Sequence, residues 1–106
     1  MTQAPTIGRI VHYTLTEQEA AHVNKRRADA KNLNGAGVTL ASQELGPQIH
    51  IGNSASAGDV FPAIIVRVWP QSSVQLQVFL DGNDTLWVTS RTEGSGDGRW
   101  SWPPRV

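Results

Sequence analysis

Residues 60–91, VFPAIIVRVWPQSSVQLQVFLDGNDTLWVTSR, decide the fold of this chain. They contain three apolar segments separated by turn residues, which is typical of antiparallel strands that follow one another. Val60–Trp69 is the most apolar segment and is predicted to be a central strand. Because proline lacks an N–H donor for the sheet, Pro62 is expected at its start or at a bulge. Trp69 ends this segment and is predicted to lie in the core.

The next two segments form a predicted hairpin. Ser73–Leu80 alternates, and Val74, Leu76 and Val78 are expected to point inward. Asp81-Gly82-Asn83 is a turn sequence, in which glycine can take a positive φ.

The returning segment, Asp84–Arg91, also alternates. It places Leu86 and Val88 on one face and Trp87 on the other. Trp87 therefore needs cover from the helix, from another subunit or from a ligand.

Upstream of this meander, the sequence predicts one strand and one helix. Ile7–Leu15 is rich in β-branched and aromatic residues, and it alternates. Val11, Tyr13 and Leu15 form one face, and Ile10, His12 and Thr14 form the other.

A capping box then starts the helix, since the Thr16 hydroxyl and the Glu19 carboxylate can each accept from the other residue's amide. Residues 17–33 are rich in strong helix formers, and Asn34-Gly35 supplies a stop. The stripe of the helix that faces the core consists of Ala20, Val23, Arg27 and Ala30. It is poor in large apolar groups, so we expect shallow packing or a partner.

The chain as a whole is expected to be a single domain over residues 1–106, with a frayed N-terminus at 1–6. Residues 34–59 are rich in glycine and are predicted to form a long loop region. Arg99–Trp102 supplies a last strand. The predicted fold is mainly β (α+β): a small SH3-like bent barrel or meander with one helix inserted after the first strand.

Composition excludes several functional classes. The chain has 106 residues, nine basic and nine acidic side chains and no cysteine. Zero net charge argues against general nucleic-acid binding, which uses a basic surface. The lack of cysteine removes disulfides and thiolate metal sites. No apolar run is long enough for a membrane span, and the N-terminus lacks the pattern of a signal peptide.

Catalytic and metal-binding patterns are also missing. His12, His22 and His50 have no spacing that would place two of them together on a helix face. No nucleophile elbow is present, and the glycine-rich EGSGDG stretch precedes a strand rather than a helix. We therefore expect a protein that is not an enzyme and that has no metal or cofactor.

Lys25-Arg26-Arg27 permits two interpretations. The first is a solvated helix face. The second starts from Arg27 and Asn24, which are predicted to lie on the side of the helix that faces the sheet. An arginine fork and an amide held there can grip a phosphate or a carboxylate.

Four tryptophans are many for a chain of this length. Trp100 and Trp102 share one predicted strand face. Such rings serve as core, as a subunit interface or as a stacking surface for a ligand. Because the helix offers little apolar cover, we expect a homo-oligomer that buries some of them.

Several segments together resemble small proteins encoded by tailed bacteriophages and prophages. The similar segments cover nearly the whole chain in order: IGRIVHYTLTEQEA (7–20), NKRR (24–27), HIGN (50–53), GDVFPAIIVRVW (58–69), FLDGNDTLWVTS (79–90) and WSWPPRV (100–106). The resemblance implies a phage origin, a compact β-rich fold and action in the cytoplasm of the bacterial host or in the virion. It implies no catalytic residues.

Small phage proteins that are not enzymes build virions, inhibit a host protein or neutralise a host defence. The leading hypothesis is a non-catalytic, oligomeric binding protein that sequesters a small anionic nucleotide signal of host immunity. The alternatives are a virion component, such as a head decoration or tail-associated protein, and a direct inhibitor of a host protein. The candidate ligand-binding residues are Tyr13, Asn24, Arg27, His50, Asn53, Trp87 and Trp100. On this hypothesis, replacing Arg27 or Trp87 abolishes binding without unfolding the protein.

Overall fold

The computed structural model describes residues 3–35 and 53–104. The elements are β1 (Ile10–Thr14), α1 (Glu17–Gly35), β2 (Val60–Val68), β3 (Val74–Phe79), β4 (Thr85–Arg91) and β5 (Trp100–Ser101). The strands form one antiparallel sheet in the order β4-β3-β2-β1-β5. A mainly β fold with one helix after the first strand is therefore confirmed. Most of the predicted 34–59 loop, residues 36–52, lies outside the described residues.

The described sheet is not closed, so an SH3-like barrel is not confirmed. Its two edges are β4 and β5. One isolated parallel bridge joins Glu93, just after β4, to Trp100 of β5. The Gly94 amide donates to the Trp100 carbonyl at 2.9 Å. The chain therefore touches the opposite edge at one point, without a ladder between two strands.

The predicted alternation of β3 and β4 is confirmed. Val74, Leu76 and Val78 are fully buried, and Leu86 and Val88 are buried next to them. Each β3 residue that faces the core sits beside one from β2 or β4, because the ladders pair β3 with both neighbours. These apolar side chains form the centre of the core.

The start of the helix is also as predicted. The Thr16 amide donates to Glu19 Oε1 at 3.0 Å, and the Glu19 amide donates to Thr16 Oγ1 at 3.1 Å. Both halves of the capping box are formed, which satisfies two helix-end donors. Ala20 and Val23 then enter the core beside β1. The side chain of Ala30 is not among those that the structure describes.

The prediction that Trp69 is a core residue is wrong. Its side chain is 36% exposed, and the Arg67 guanidinium lies over its ring at 4.8 Å. The cause is a register shift in the β2–β3 ladder between Ile65 and Arg67. Such an irregularity reverses the side-chain alternation beyond it, so Val68 packs on the core and Trp69 points outward.

Within the described ranges, no helix is both long enough and apolar enough to cross a membrane.

Candidate functional site

Asn24, predicted to contact a ligand, hydrogen-bonds the backbone of Ala55 instead. Its Nδ2 donates to the Ala55 carbonyl at 2.8 Å, and its Oδ1 accepts from the Ala55 amide at 2.7 Å. The side chain thus pairs with the backbone as a neighbouring strand would. It fixes the segment that leads into β2 against the helix.

Arg27 joins three parts of the chain. Its Nη1 donates to the Asn53 carbonyl, and its Nη2 donates to the Asp81 carbonyl at 3.1 Å and to Asp84 Oδ1 at 3.0 Å. The residue is only 8% exposed. A buried guanidinium needs such acceptors because an unpaired buried charge is strongly unfavourable.

Two outer contacts complete this cluster. Arg26 Nη2 donates to Asp84 Oδ2 at 2.8 Å, and Asn53 Nδ2 donates to Asp81 Oδ2 at 2.7 Å. We call the set Asn24, Arg26, Arg27, Asn53, Asp81 and Asp84 the arginine clamp.

The arginines determine the ionisation of Asp84. Partial burial pushes the pKa of the Asp84 carboxyl upward, but hydrogen bonds from Arg27 and Arg26 and the charge of Arg27 outweigh it. The net result is a pKa below the ordinary value of 3.8. The carboxylate is therefore held in its charged form beside the two guanidinium groups.

The clamp places Asn24 and Arg27, the residues predicted to hold an anion, in contacts within the chain; the anion site stays a prediction. Both side chains bond the helix to the segment before β2, and Arg27 also bonds it to the β3–β4 turn. Asp84, at the start of the predicted returning segment, is the carboxylate that pairs with Arg27. An arginine on the core-facing stripe of a helix was the available signal, because a buried cation requires a carboxylate.

Tyr13 and Trp100 also differ from the prediction. They lie opposite each other in the β1–β5 ladder, and they are 0% and 1% exposed. Neither ring has a face free to stack on a ligand, so both are core aromatics. Trp100 packs edge-on against Trp102, with ring centroids 5.3 Å apart.

Tyr13 belongs to a second polar cluster under the sheet. Its hydroxyl donates to the Glu19 carboxylate, and Arg91 Nη2 donates to Glu19 Oε2 at 2.6 Å. Burial and the Glu19 carboxylate raise the pKa of the Tyr13 phenol well above its ordinary value. The phenol stays protonated and ties β1 to the first turn of the helix.

His50 lies outside the described residues. Over the ranges that the structure describes, no group of three or more histidine, aspartate or glutamate side chains could hold a metal ion.

The remaining candidate, Trp87, lies on the side of the sheet that faces away from the core. Its ring is 53% exposed. In the ladders Trp87 is level with Gln77, Gln77 with Ile64, and Ile64 with Ile10, so one row crosses four strands.

We call this side the outer face. Its members are the outward-pointing side chains of β1–β4: Ile10, His12, Thr14, Val60, Pro62, Ile64, Val66, Arg67, Gln75, Gln77, Phe79, Thr85, Trp87 and Thr89.

The outer face is unusual for a surface that meets water. The solvent side of an antiparallel sheet is normally polar. Here Ile10, Val60, Val66, Phe79 and Trp87 are all exposed. Arg67 is the one charged member of the outer face, although charged residues make up 17% of the chain. Few charges and exposed aromatic rings are the composition of an interface core.

The outer face is therefore the candidate functional site. The sequence identified Trp87 through the alternation of β4, but it did not single out Phe79, Val60 or Val66. Their exposure follows from which side of the sheet the helix covers.

Comparisons with protein-family models, curated proteins and solved structures found no match for this chain. The resemblance to phage proteins stays a prediction.

The arginine clamp predicts a stability effect for Arg27→Ala. Removing the guanidinium strips the carbonyls of Asn53 and Asp81 of a donor and should cost about 2–3 kcal/mol in the free energy of unfolding. Lys25→Ala is the matched control, because its ion pair with Asp29 is exposed and worth less than about 0.5 kcal/mol. Urea denaturation measures both. Equal stabilities of the two variants would contradict a structural role for Arg27.

The lowered pKa of Asp84 predicts a pH effect. Its charged form adds stability above the ordinary pKa of 3.8, and that stability is lost as the pH falls through the lowered value. Asp84→Asn should therefore be less stable than wild type at pH 7, and the gap should narrow below about pH 4. Denaturation curves across this range test it, with Asp29→Asn as the exposed control. A gap that does not change with pH would refute the assignment.

Proposed function

We propose that this chain is a non-catalytic binding protein, encoded by bacteriophage, that uses its outer face to bind another protein. The observation that carries the proposal is the exposed, nearly charge-free outer face around Trp87. A protein partner covers such a face with apolar side chains of its own. The partner is a host protein that the chain inhibits or a subunit of the virion, so the chain acts in the host cytoplasm or in the virion.

Trp87 has the properties of a binding hot spot. Tryptophan side chains bury a large area at low entropic cost, and they dominate many measured interfaces. Phe79 is its diagonal neighbour on the same face, because Phe79 pairs with Thr85, two residues before Trp87. Gln77, level with Trp87, adds an amide that can donate and accept at the centre of the contact.

The size of the outer face indicates the strength of the contact. Neighbouring strands lie about 4.8 Å apart, and side chains on the same face of one strand lie about 6.8 Å apart. Each side chain therefore covers about 33 Å² of the sheet. The outer face then spans roughly 450 Å², about half of the 800 Å² per partner in a typical stable complex. One copy alone therefore supports a transient complex.

Nucleotide sequestration is the second candidate. Trp87 and Trp69 offer exposed rings for stacking on a base, and Arg67 offers a cation beside Trp69. This candidate has weaker support, because Asn24 and Arg27 are engaged in the clamp.

We also propose the SH3-like barrel as the finer description of the fold. The bridge between Glu93 and Trp100 supports it, because it brings the chain after β4 to the opposite edge of a strongly curled sheet.

Trp87→Ser should weaken partner binding by at least about 30-fold, because a hot-spot side chain contributes about 2 kcal/mol or more. Stability should change by less than about 0.5 kcal/mol, since the ring is largely exposed. Proteins captured from host lysate and from purified virions are identified by mass spectrometry, and the affinity of the captured candidate for each variant is then measured by calorimetry.

Ile7→Ser is the matched control, because Ile7 is an exposed apolar residue ahead of β1. The proposal fails if both variants bind the candidate as wild type does. Capture from virions favours the structural role, and capture from lysate alone favours inhibition.

The nucleotide candidate is tested by thermal shift against cyclic mononucleotides, cyclic dinucleotides and ADP-ribose derivatives. A true ligand at about a hundredfold above its Kd adds about 2.7 kcal/mol, which raises Tm by several degrees. Trp87→Ser should remove that shift. A flat panel with wild-type protein eliminates this candidate.

A further inference from the structure

The two edges of the sheet differ in how well they are protected against pairing with a further strand. The β5 edge consists of only two residues, and Pro103-Pro104 follows it. The short length and the prolines both disfavour pairing with a further strand. The β4 edge is seven residues long, TLWVTSR, and its first charge is Arg91 at the end. In the part of the chain that the structure describes, β4 pairs with β3 only.

The backbone of β4 presents three residues to that open edge. The Leu80 amide donates to the Asp84 carbonyl, which makes this a hydrogen-bonded pair. Antiparallel ladders alternate, so Leu86 and Val88 also bond to β3. The N–H and C=O groups of Thr85, Trp87 and Thr89 therefore point away from β3.

Those three residues lie in a segment that reads the same way in both directions by residue type. Residues 85–89 are Thr-Leu-Trp-Val-Thr, with a polar residue at each end, an aliphatic residue next to each, and tryptophan in the middle. An antiparallel partner placed about Trp87 would set threonine opposite threonine and tryptophan opposite tryptophan. Both are favourable cross-strand pairs.

We propose that β4 pairs with β4 of a second copy of this chain, antiparallel and with Trp87 opposite Trp87. The result is a closed two-fold dimer with one continuous sheet across both copies. In this register Leu86 faces Val88 on the core side, and Thr85, Trp87 and Thr89 each bond through the backbone.

The ends of β4 limit the pairing to this segment. Ser90 has a φ of +58°, a left-handed value that turns the strand away from a straight edge. Beyond it, Arg91 would come opposite Asn83 and Ser90 opposite Asp84, so no like charges meet. The pairing differs from the proposed partner binding because its hydrogen bonds use the backbone edge of β4, although the Trp87 side chain contributes to both.

A charge exchange at Thr85 and Thr89 tests both the dimer and its register. Sedimentation of wild type across a concentration series should give twice the 11.5 kDa of one chain. Thr85→Lys with Thr89→Lys places like charges opposite each other twice, and the mass should fall to that of one chain. Thr85→Glu with Thr89→Lys places opposite charges there, and the dimer mass should return.

Thr14→Lys is the control, since it puts a charge on the outer face of β1, far from the edge, and should leave the dimer intact. Amide hydrogen exchange gives a readout that needs no variant: the Thr85, Trp87 and Thr89 amides should exchange slowly in the wild-type dimer. Circular dichroism confirms that each variant is folded.

A wild-type mass of one chain at every concentration overturns the proposal, as does a dimer that the double lysine variant leaves intact. Fast hydrogen exchange of the Thr85, Trp87 and Thr89 amides in the wild type would also overturn the proposal. A wild-type monomer that still binds its partner through Trp87 would overturn this pairing and leave the proposed function standing.

Discussion

The buried guanidinium of Arg27 is the contact on which the arrangement of the rest depends. It lies on a helix whose core-facing side offers only small apolar groups, so hydrophobic packing alone holds the helix weakly. The clamp adds bonds to the segment before β2 and to the β3–β4 turn, which are far apart in sequence. A cation at this buried position must be paired, so the acceptors of Arg27 fix the position of the helix against the sheet.

The position of the helix decides what each side of the sheet can do. The covered side holds the core and two polar clusters, both of which bond to the chain itself. The opposite side has no helix of the described chain over it, yet it carries isoleucine, valine, phenylalanine and tryptophan. The exposed apolar side chains therefore lie on the sheet, while Asn24 and Arg27 bond to other parts of the chain.

Alternation predicted most of the sheet, because period-two patterns report directly on which side chains face the core. The capping box predicted the helix start for a similar reason, since it depends on neighbours only. Trp69 was misplaced because a one-residue irregularity in β2 leaves no mark in composition. The clamp was missed because the pairing of Arg27 with Asp84 depends on tertiary structure, and the burial of Tyr13 and Trp100 depends on the β1–β5 ladder.

Because of the register shift in β2, the number of residues in that strand determines which side chains reach the surface. Beyond Ile65, one residue more or less decides whether Trp69 belongs to the interior or to the exterior. A single codon gained or lost in that strand would exchange the residues displayed at one end of the outer face, while Val11, Leu76 and Val78 kept their places. Insertions and deletions, as well as substitutions, can therefore change which side chains this surface displays.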